Sequence, residues 1–286
     1  MPGDDAQPVV WIILGLAAAV LLSWCFVTAC HRHPMVVQKE PFGVPPDEAM
    51  ERIQHAVYGA ICIFRGPDLI SSRVRGGGLW EEHIVREMAR WYRPGTDLCD
   101  VGANLGLNTL LLHRVVPGGI TGCVHCFEPQ ADVFTMLAFN MSHLPTTKLY
   151  NMALADVAGL VCFQQEQGNV GATIMGGCSQ SLGSRCVSRP KRNVRIRVAA
   201  LPLDSIGMTA PISLMKIDVE TAEVAFLRGA TDTLKRHRPT LVMEVFPSQM
   251  DAVTRMLSPL GYQRRSEDLG EHNYVFAHHS SQPIDG

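Results

Sequence analysis

The chain has 286 residues, 47% of them hydrophobic, and a formal net charge of −2. That length suits one sizeable α/β domain with extensions and allows a large core to be buried. The near-neutral charge gives no global attraction to nucleic acid or to an anionic membrane, so nucleic acid is disfavoured as a substrate.

From Val9 to Cys30 the sequence "VVWIILGLAAAVLLSWCFVTAC" holds no charged residue. It matches the roughly 20 residues that cross a bilayer core as a helix. A cleaved signal peptide is the rival reading, but such peptides begin with basic residues, and here Asp4 and Asp5 precede the run. The expectation is a single-pass membrane protein, anchored through residues 9–30. Arg32 and Lys39 follow the span, which places the C-terminal side in the cytoplasm by the positive-inside tendency.

After a polar, proline-bearing linker (31–47), a lead-in segment (48–78) reads as a helix and a short strand between Glu48 and Phe64, then the loop "RVRGGG". "LWEEHIVREMARWY" has helical spacing and ends at "RPG". Strands and helices then alternate. "TDLCDVG", "TGCVHCFEP", "KLYNMALAD", "ISLMKIDV" and "TLVMEVF" read as strands. Between and after them "LGLNTLLLHRVV", "ADVFTMLAFNMSHL", "AEVAFLRGATDTLKRH" and "SQMDAVTRMLSPLG" read as helices. This order implies βαβ units and a mostly parallel sheet. "YQRRSE" and "NYVFAHH", joined by a short polar loop, close the chain as an antiparallel pair.

Residues 157–200 break the rhythm. "LVCFQQ" and the alternating "VRIRVAA" read as an inserted pair of strands, separated by a long loop bearing Arg185, Arg189, Lys191 and Arg192. A solvated loop is the common explanation for such a basic block, and an acidic acceptor is the functional one. Cys123 and Cys126 form a CxxC with no second pair, inside an apolar strand, and read as buried thiols. The sequon Asn140-Met141-Ser142 falls in a helical apolar pattern and reads as chance.

The most informative stretch is "DLCDVGANLGLNTLLL". A strand ends at Asp100-Val101, and the turn Gly102 to Gly106 leads into a helix. Glycines there admit backbone conformations closed to other residues and let a ligand approach the main chain. The spacing is GxNxG rather than the GxGxxG of a dinucleotide loop. Ligands of open parallel sheets bind beyond the carboxyl ends of the strands, so this turn marks the pocket. Glu128 stands at the end of the second strand, near the offset at which an acid binds ribose hydroxyls. Its alternative role is a favourable acid at a helix N-terminus.

"DVGANLG", "FEP", "YNMALAD" and "MKIDVETAEVAFLRGA" together resemble the FkbM family of S-adenosylmethionine-dependent methyltransferases, in the same order and at similar spacing. The resemblance spans roughly Leu79 to Phe276, and places a methyltransferase domain at 79–278, flanked by tails at 1–8 and 279–286. It implies a Rossmann-like α/β fold: a seven-stranded mostly parallel sheet with an antiparallel final hairpin and helices on both faces. The implied cofactor is S-adenosyl-L-methionine. Asp100, Gly102, Asn104 and Gly106 would surround its methionine and ribose part, Glu128 would hold the ribose hydroxyls, and Asp156 would lie near the adenine. Glu81 matches an acid often found in the helix before the first strand.

"KIDVETAE" differs from the family's usual "KIDVEGAE" by Thr221 in place of glycine. The added Cβ could narrow local space, or the residue could serve as a helix cap. Asp218 is the first candidate for general base and Glu220 the second, with Glu244 on the acceptor side. Lys216, on the same strand face as Asp218, could instead form a structural pair with it. No metal-specific spacing is present. The reaction implied is O-methylation of a hydroxyl on a small molecule, glycan or lipid. The alternatives are a non-catalytic cofactor-binding or scaffold domain, and an N-methyltransferase acting on protein or RNA.

Overall fold

The computed structural model describes residues 49–144, 146–166, 169–176 and 195–284. The chain divides into two compact units, Met1–Val36 and Val37–Gly286, and everything described here belongs to the second. The expected span, residues 9–30, and the basic loop with Arg185, Arg189, Lys191 and Arg192 lie outside the described residues. Among the described residues no helix is long and apolar enough to cross a membrane, so the single-pass membrane placement is corrected and carried no further.

The main sheet is built from β3 (Asp97–Val101), β4 (Val124–Phe127), β5 (Thr147–Tyr150), β10 (Ile212–Ile217), β11 (Thr240–Glu244), β12 (Tyr262–Arg264) and β13 (Asn273–His278). Its seven strands run in the order β12-β13-β11-β10-β3-β4-β5. The five strands from β11 to β5 pair in parallel, and β13 inserts antiparallel between β11 and β12. Strand order therefore reverses between β3 and β10, which opens a crevice at their carboxyl ends.

Strand alternation splits the core into two apolar layers. Leu98, Val124, Leu214 and Val242 pack with α2 (Glu82–Trp91), α3 (Leu107–Val115) and α4 (Ala131–Asn140) through Ile84, Met88, Leu111 and Leu137. Cys99, Phe127, Met215 and Leu241 pack on the other side with α5 (Glu223–Gly229), α6 (Thr231–His237) and α7 (Met250–Leu257) through Phe226, Leu234 and Val253. Burial on both faces is why these strands read as near-continuous apolar runs.

Several expectations change. Residues 49–64 form no helix but an antiparallel hairpin, β1 (Met50–His55) and β2 (Gly59–Phe64). Gly59 turns it at φ +81° and the His55 ring accepts the Val57 and Tyr58 N–H groups. The hairpin is held from a distance: Asn140 on α4 accepts from the Cys62 N–H at 2.6 Å and donates to the Cys62 and Leu105 carbonyls. The following loop contains a short helix, α1 (Leu69–Arg75), capped by Asp68, whose carboxylate accepts from the Ser71 N–H at 2.8 Å.

The strand expected over "KLYNMALAD" is two pieces. β5 stays in the main sheet, whereas β6 (Ala153–Leu154) joins a second sheet of order β6-β9-β7-β8. The break falls at Asn151, whose side-chain amide donates to the Glu128 and Pro129 carbonyls and turns the chain away. The inserted segment has three strands, β7 (Gly159–Glu166), β8 (Asn169–Gly176) and β9 (Arg195–Leu201), rather than two.

The single helix expected after β10 divides into α5 and α6 at Ala230. Asp204, from the segment before β10, accepts from the Asp232 and Thr233 N–H groups and so caps α6 from outside its own sequence. Finally, Cys126 is a buried free thiol as expected, but Cys123, outside β4 by one residue, takes part in a disulfide.

Candidate active site

Three strand tips meet where the sheet reverses. The turn after β3 carries Gly102 at φ +79°, and a Cβ there would lie 1.8 Å from the Asp218 carbonyl oxygen. Only glycine permits the two tips to pack this closely. The Gly102 and Ala103 N–H groups both donate to the Phe127 carbonyl, which ties the same turn to β4. Gly106, at φ +77°, starts α3 where a Cβ would press on Leu137 and Met141.

Around this junction lies a cavity of about 390 Å³. Of the residues singled out from sequence, Glu81, Asp100, Gly102, Asn104, Glu128, Asp218 and Glu220 all line it. Gly106 does not; it shapes the turn from behind. Asp156 does not either: it is exposed, with its carboxylate 3.9 Å from the Arg228 guanidinium. The departure of β6 into the second sheet carries Asp156 away from the strand tips.

Glu128 is 4% exposed. Its carboxylate accepts from the Asn104 N–H at 3.0 Å and from the Gln130 N–H at 2.8 Å. One donor belongs to the β3 turn and the other to the start of α4, so two neighbouring loops fix the group. Burial pushes its pKa up to about 7, against the pull of those two N–H groups and with a further push from Asp218 and Asp100.

Asp100 is 1% exposed; one oxygen accepts from the Thr109 hydroxyl at 2.6 Å, and the other is buried without a partner. Burial raises its pKa, while the neighbouring Lys216 ammonium opposes the rise. Glu81 sits at φ +44° at the head of α2 and accepts from the Asn108 side-chain amide at 2.6 Å.

Asp218 follows β10 directly, and its carboxylate accepts from the Lys216 ammonium at 2.8 Å. The structural pair suggested by strand alternation therefore forms. Glu220 is not on an extended strand; it lies in a left-handed turn, at φ +47° with Thr221 at +76°. This turn aims Glu220 back at the cavity. Oxygens of Asp218, Glu220 and Glu244 all lie within 4.8 Å of one another, close enough to share a cation. Burial, followed by the Asp218 and Glu220 charges, pushes the Glu244 pKa up to about 9.

The left-handed conformation explains why the related motif carries glycine where this chain has Thr221. A β-branched residue there stores roughly 1–3 kcal/mol of strain. Thr221 is exposed and outside the cavity lining, so it does not narrow the site. Nor is it the helix cap considered above, since the N-cap position of α5 is Ala222. Thr221→Gly is expected to stabilise the fold by about 1 kcal/mol, strain relief exceeding the added entropy of the unfolded chain. Urea denaturation measures this, and a lowered midpoint at unchanged slope would contradict it.

The raised carboxyls also set a pH dependence. Glu128 and Glu244 titrate near 7 and 9 in the folded chain, against 4.5 for the ordinary carboxyl. Their protonated forms stabilise the fold in full below about pH 4.5, and that stabilisation is lost as pH rises through each folded value. The ligand-free protein should lose melting temperature between pH 6 and about 9, and Glu244→Gln should flatten the upper part of the loss. Scanning fluorimetry across that window tests it; a melting temperature that climbs would be the contrary result.

Sequence reasoning missed Trp80, Asn108, Gln130, Met152, Phe246 and His272, all of which line the cavity. Asn108 had a signal, standing in the first turn of α3 directly after the glycine turn. Phe246 and His272, whose rings lie 5.6 Å apart, had none, because the β12–β13 loop meets β11 only in the folded sheet.

The family model described as the Methyltransferase FkbM domain matches residues 100–264, more than half of the chain. The chain belongs to the FkbM methyltransferase family. A curated FkbM relative, 31-O-demethyl-FK506 methyltransferase of Streptomyces tacrolimicus, is 29% identical over 168 residues. The match takes in 49% of this chain and 61% of that protein, so the chain spans less than two thirds of this relative's length. Among solved structures, an FkbM methyltransferase from Methylobacillus flagellatus KT matches at 16% identity and a TM-score of 0.43, over 67% of this chain and 49% of its own. The putative methyltransferase SMU.1697c from Streptococcus mutans, crystallised with SAH, matches at 10% identity and a TM-score of 0.38, over 67% of this chain and 92% of its own.

Proposed function

We propose that this FkbM-family chain transfers a methyl group from S-adenosylmethionine to a hydroxyl acceptor. The observation that carries the reading is the placement of Glu128 and Asp218 on one cavity of about 390 Å³, at the tips of the two strands that flank β3. A volume of a few hundred Å³ with a few convergent polar groups suits an adenosine-sized ligand.

The residues present fit that cofactor. Glu128, pre-oriented by the Asn104 and Gln130 N–H groups, supplies two oxygens to a pair of ribose hydroxyls. Asp100 keeps one buried oxygen unpartnered. Glu81, Gly102 and Asn104 border the part that would take the methionyl group. When bound, the cofactor supplies an electrophilic methyl on a cationic sulfonium.

Asp218 stands on the acceptor side as general base, taking the proton of the attacking hydroxyl, with Glu220 as its second. Holding that oxygen near the methyl, at about 3 Å, is a main source of acceleration. Asp218, Glu220 and Glu271 line the cavity beside Glu244, while Lys216 is engaged by Asp218 and the pKa of Glu244, raised to about 9, leaves it uncharged at neutral pH. This balance selects against phosphorylated or carboxylated acceptors and favours neutral or cationic ones. The name of the Streptomyces tacrolimicus relative is that of an O-methyltransferase, which supports a hydroxyl acceptor.

The test is to incubate the protein with extracts and methyl-labelled S-adenosylmethionine, then separate label by acceptor class. Label in hydroxyl-bearing small molecules, glycans or lipids is the expected outcome. Label confined to protein or RNA would overturn the choice of acceptor.

A further inference from the structure

We propose that Lys216 is a positioning residue: its buried ammonium fixes the Asp218 carboxylate, supplies the positive charge beside it, and ties it to Glu81. The inference rests on the reading of Asp218 as the acceptor-side base and adds what makes that base competent.

The geometry begins with strand register. Lys216 on β10 pairs directly with Asp100 on β3, and alternation points both toward the layer containing α2. Most lysines snorkel to solvent, but Lys216 is 2% exposed. A buried ammonium persists only where carboxylates compensate its lost hydration. Here the Asp218 oxygen lies 2.8 Å away and the Glu81 oxygen 3.8 Å away. Glu81 is itself clamped by the Asn108 amide at 2.6 Å. The chain Asn108–Glu81–Lys216–Asp218 thus links α3, the head of α2 and the tip of β10.

The charge balance gives the link its function. The groups facing Lys216 and Asp218 are Glu81 before α2, Asp100 on β3, Glu128 after β4, Glu220 in the turn, Glu223 on α5 and Glu244 on β11. Among the described residues lining the cavity, Lys216 is the only lysine or arginine. Carboxyls this crowded cannot all ionise unaided, and neighbours share a proton. An Asp218 holding such a proton would be an acid and could not accept one from a hydroxyl. Lys216 therefore sets the lysine charge of the cavity lining against Asp218, its 2.8 Å partner, which Glu244 also hydrogen-bonds.

The experiment follows the side-chain carboxyl carbon resonance of Asp218 by ¹³C NMR across a pH titration, assigned by its loss in Asp218→Asn. In Lys216→Met the titration midpoint should move upward from the wild-type value by about one pH unit or more. A lysine that served only to fill space would lower the melting temperature and leave the midpoint in place. An unmoved midpoint in folded Lys216→Met overturns the proposal. Should Lys216→Met fail to fold, Lys216→Met combined with Asp218→Asn removes the uncompensated charge. Recovery of the fold supports the coupling, and continued failure overturns it. Calorimetry of wild-type protein with S-adenosylmethionine is run alongside: absence of binding removes the enzymatic reading, whereas the NMR result judges Lys216 independently.

Discussion

Asp218→Asn is expected to slow methyl transfer by about 10²- to 10⁴-fold, the range that a positioned general base contributes. The amide keeps the shape of the carboxylate and still offers an oxygen to the Lys216 ammonium, so the tip of β10 should hold its place. It cannot accept the proton of a hydroxyl. Because Asp218 borders the acceptor side, affinity for S-adenosylmethionine should stay within about threefold of wild type, or ~0.7 kcal/mol. The diagnostic pattern is thus a lost rate at retained donor binding. A wild-type rate would rule out Asp218 as an essential base and turn attention to Glu220, which shares the cavity.

Glu128→Ala should have the opposite signature. Losing an acceptor for two ribose hydroxyls should weaken donor binding by about 1–3 kcal/mol, roughly 5- to 150-fold. The substitution also strips the Asn104 and Gln130 N–H groups of their partner. Two effects on the ligand-free fold then oppose each other: unpaired donors destabilise, and removal of a buried carboxyl with a pKa near 7 relieves a burial cost at neutral pH. Binding must therefore be compared at a temperature where both proteins are folded, checked by circular dichroism. Unchanged affinity in folded Glu128→Ala would refute the ribose assignment.

The parts of this protein legible in its sequence are those whose cause is local. β3, β4, β10 and β11 are buried on both faces and read as apolar runs, and their order fixes where the sheet reverses. The glycine turn is legible because backbone geometry demands the residue type. Gly102 cannot carry a Cβ against the Asp218 carbonyl. Thr221 shows the same logic from the other direction, a departure from glycine at a position whose φ favours glycine.

What local reading missed depends on distant partners. The β1–β2 hairpin is anchored by Asn140, and α6 is capped by Asp204 rather than by a neighbour in its own sequence. The resemblance implied Asp156 near the adenine; Asn151 redirects the chain, and the residue is exposed at the surface beside Arg228. Alternation could set Lys216 beside Asp218, but its near-complete burial and its contact with Glu81 arise only when α2 closes over the sheet. The membrane expectation rested on apolar composition in residues that are not described, and no described helix supports a crossing.

The central claim is that the three strand tips enclose a site for the methyl donor. Isothermal titration of the folded wild-type protein with S-adenosylmethionine tests it most directly. Saturable binding at one site per chain is expected, weakened in Glu128→Ala and preserved in Asp218→Asn. No heat of binding at any donor concentration, with the fold verified intact, would contradict it.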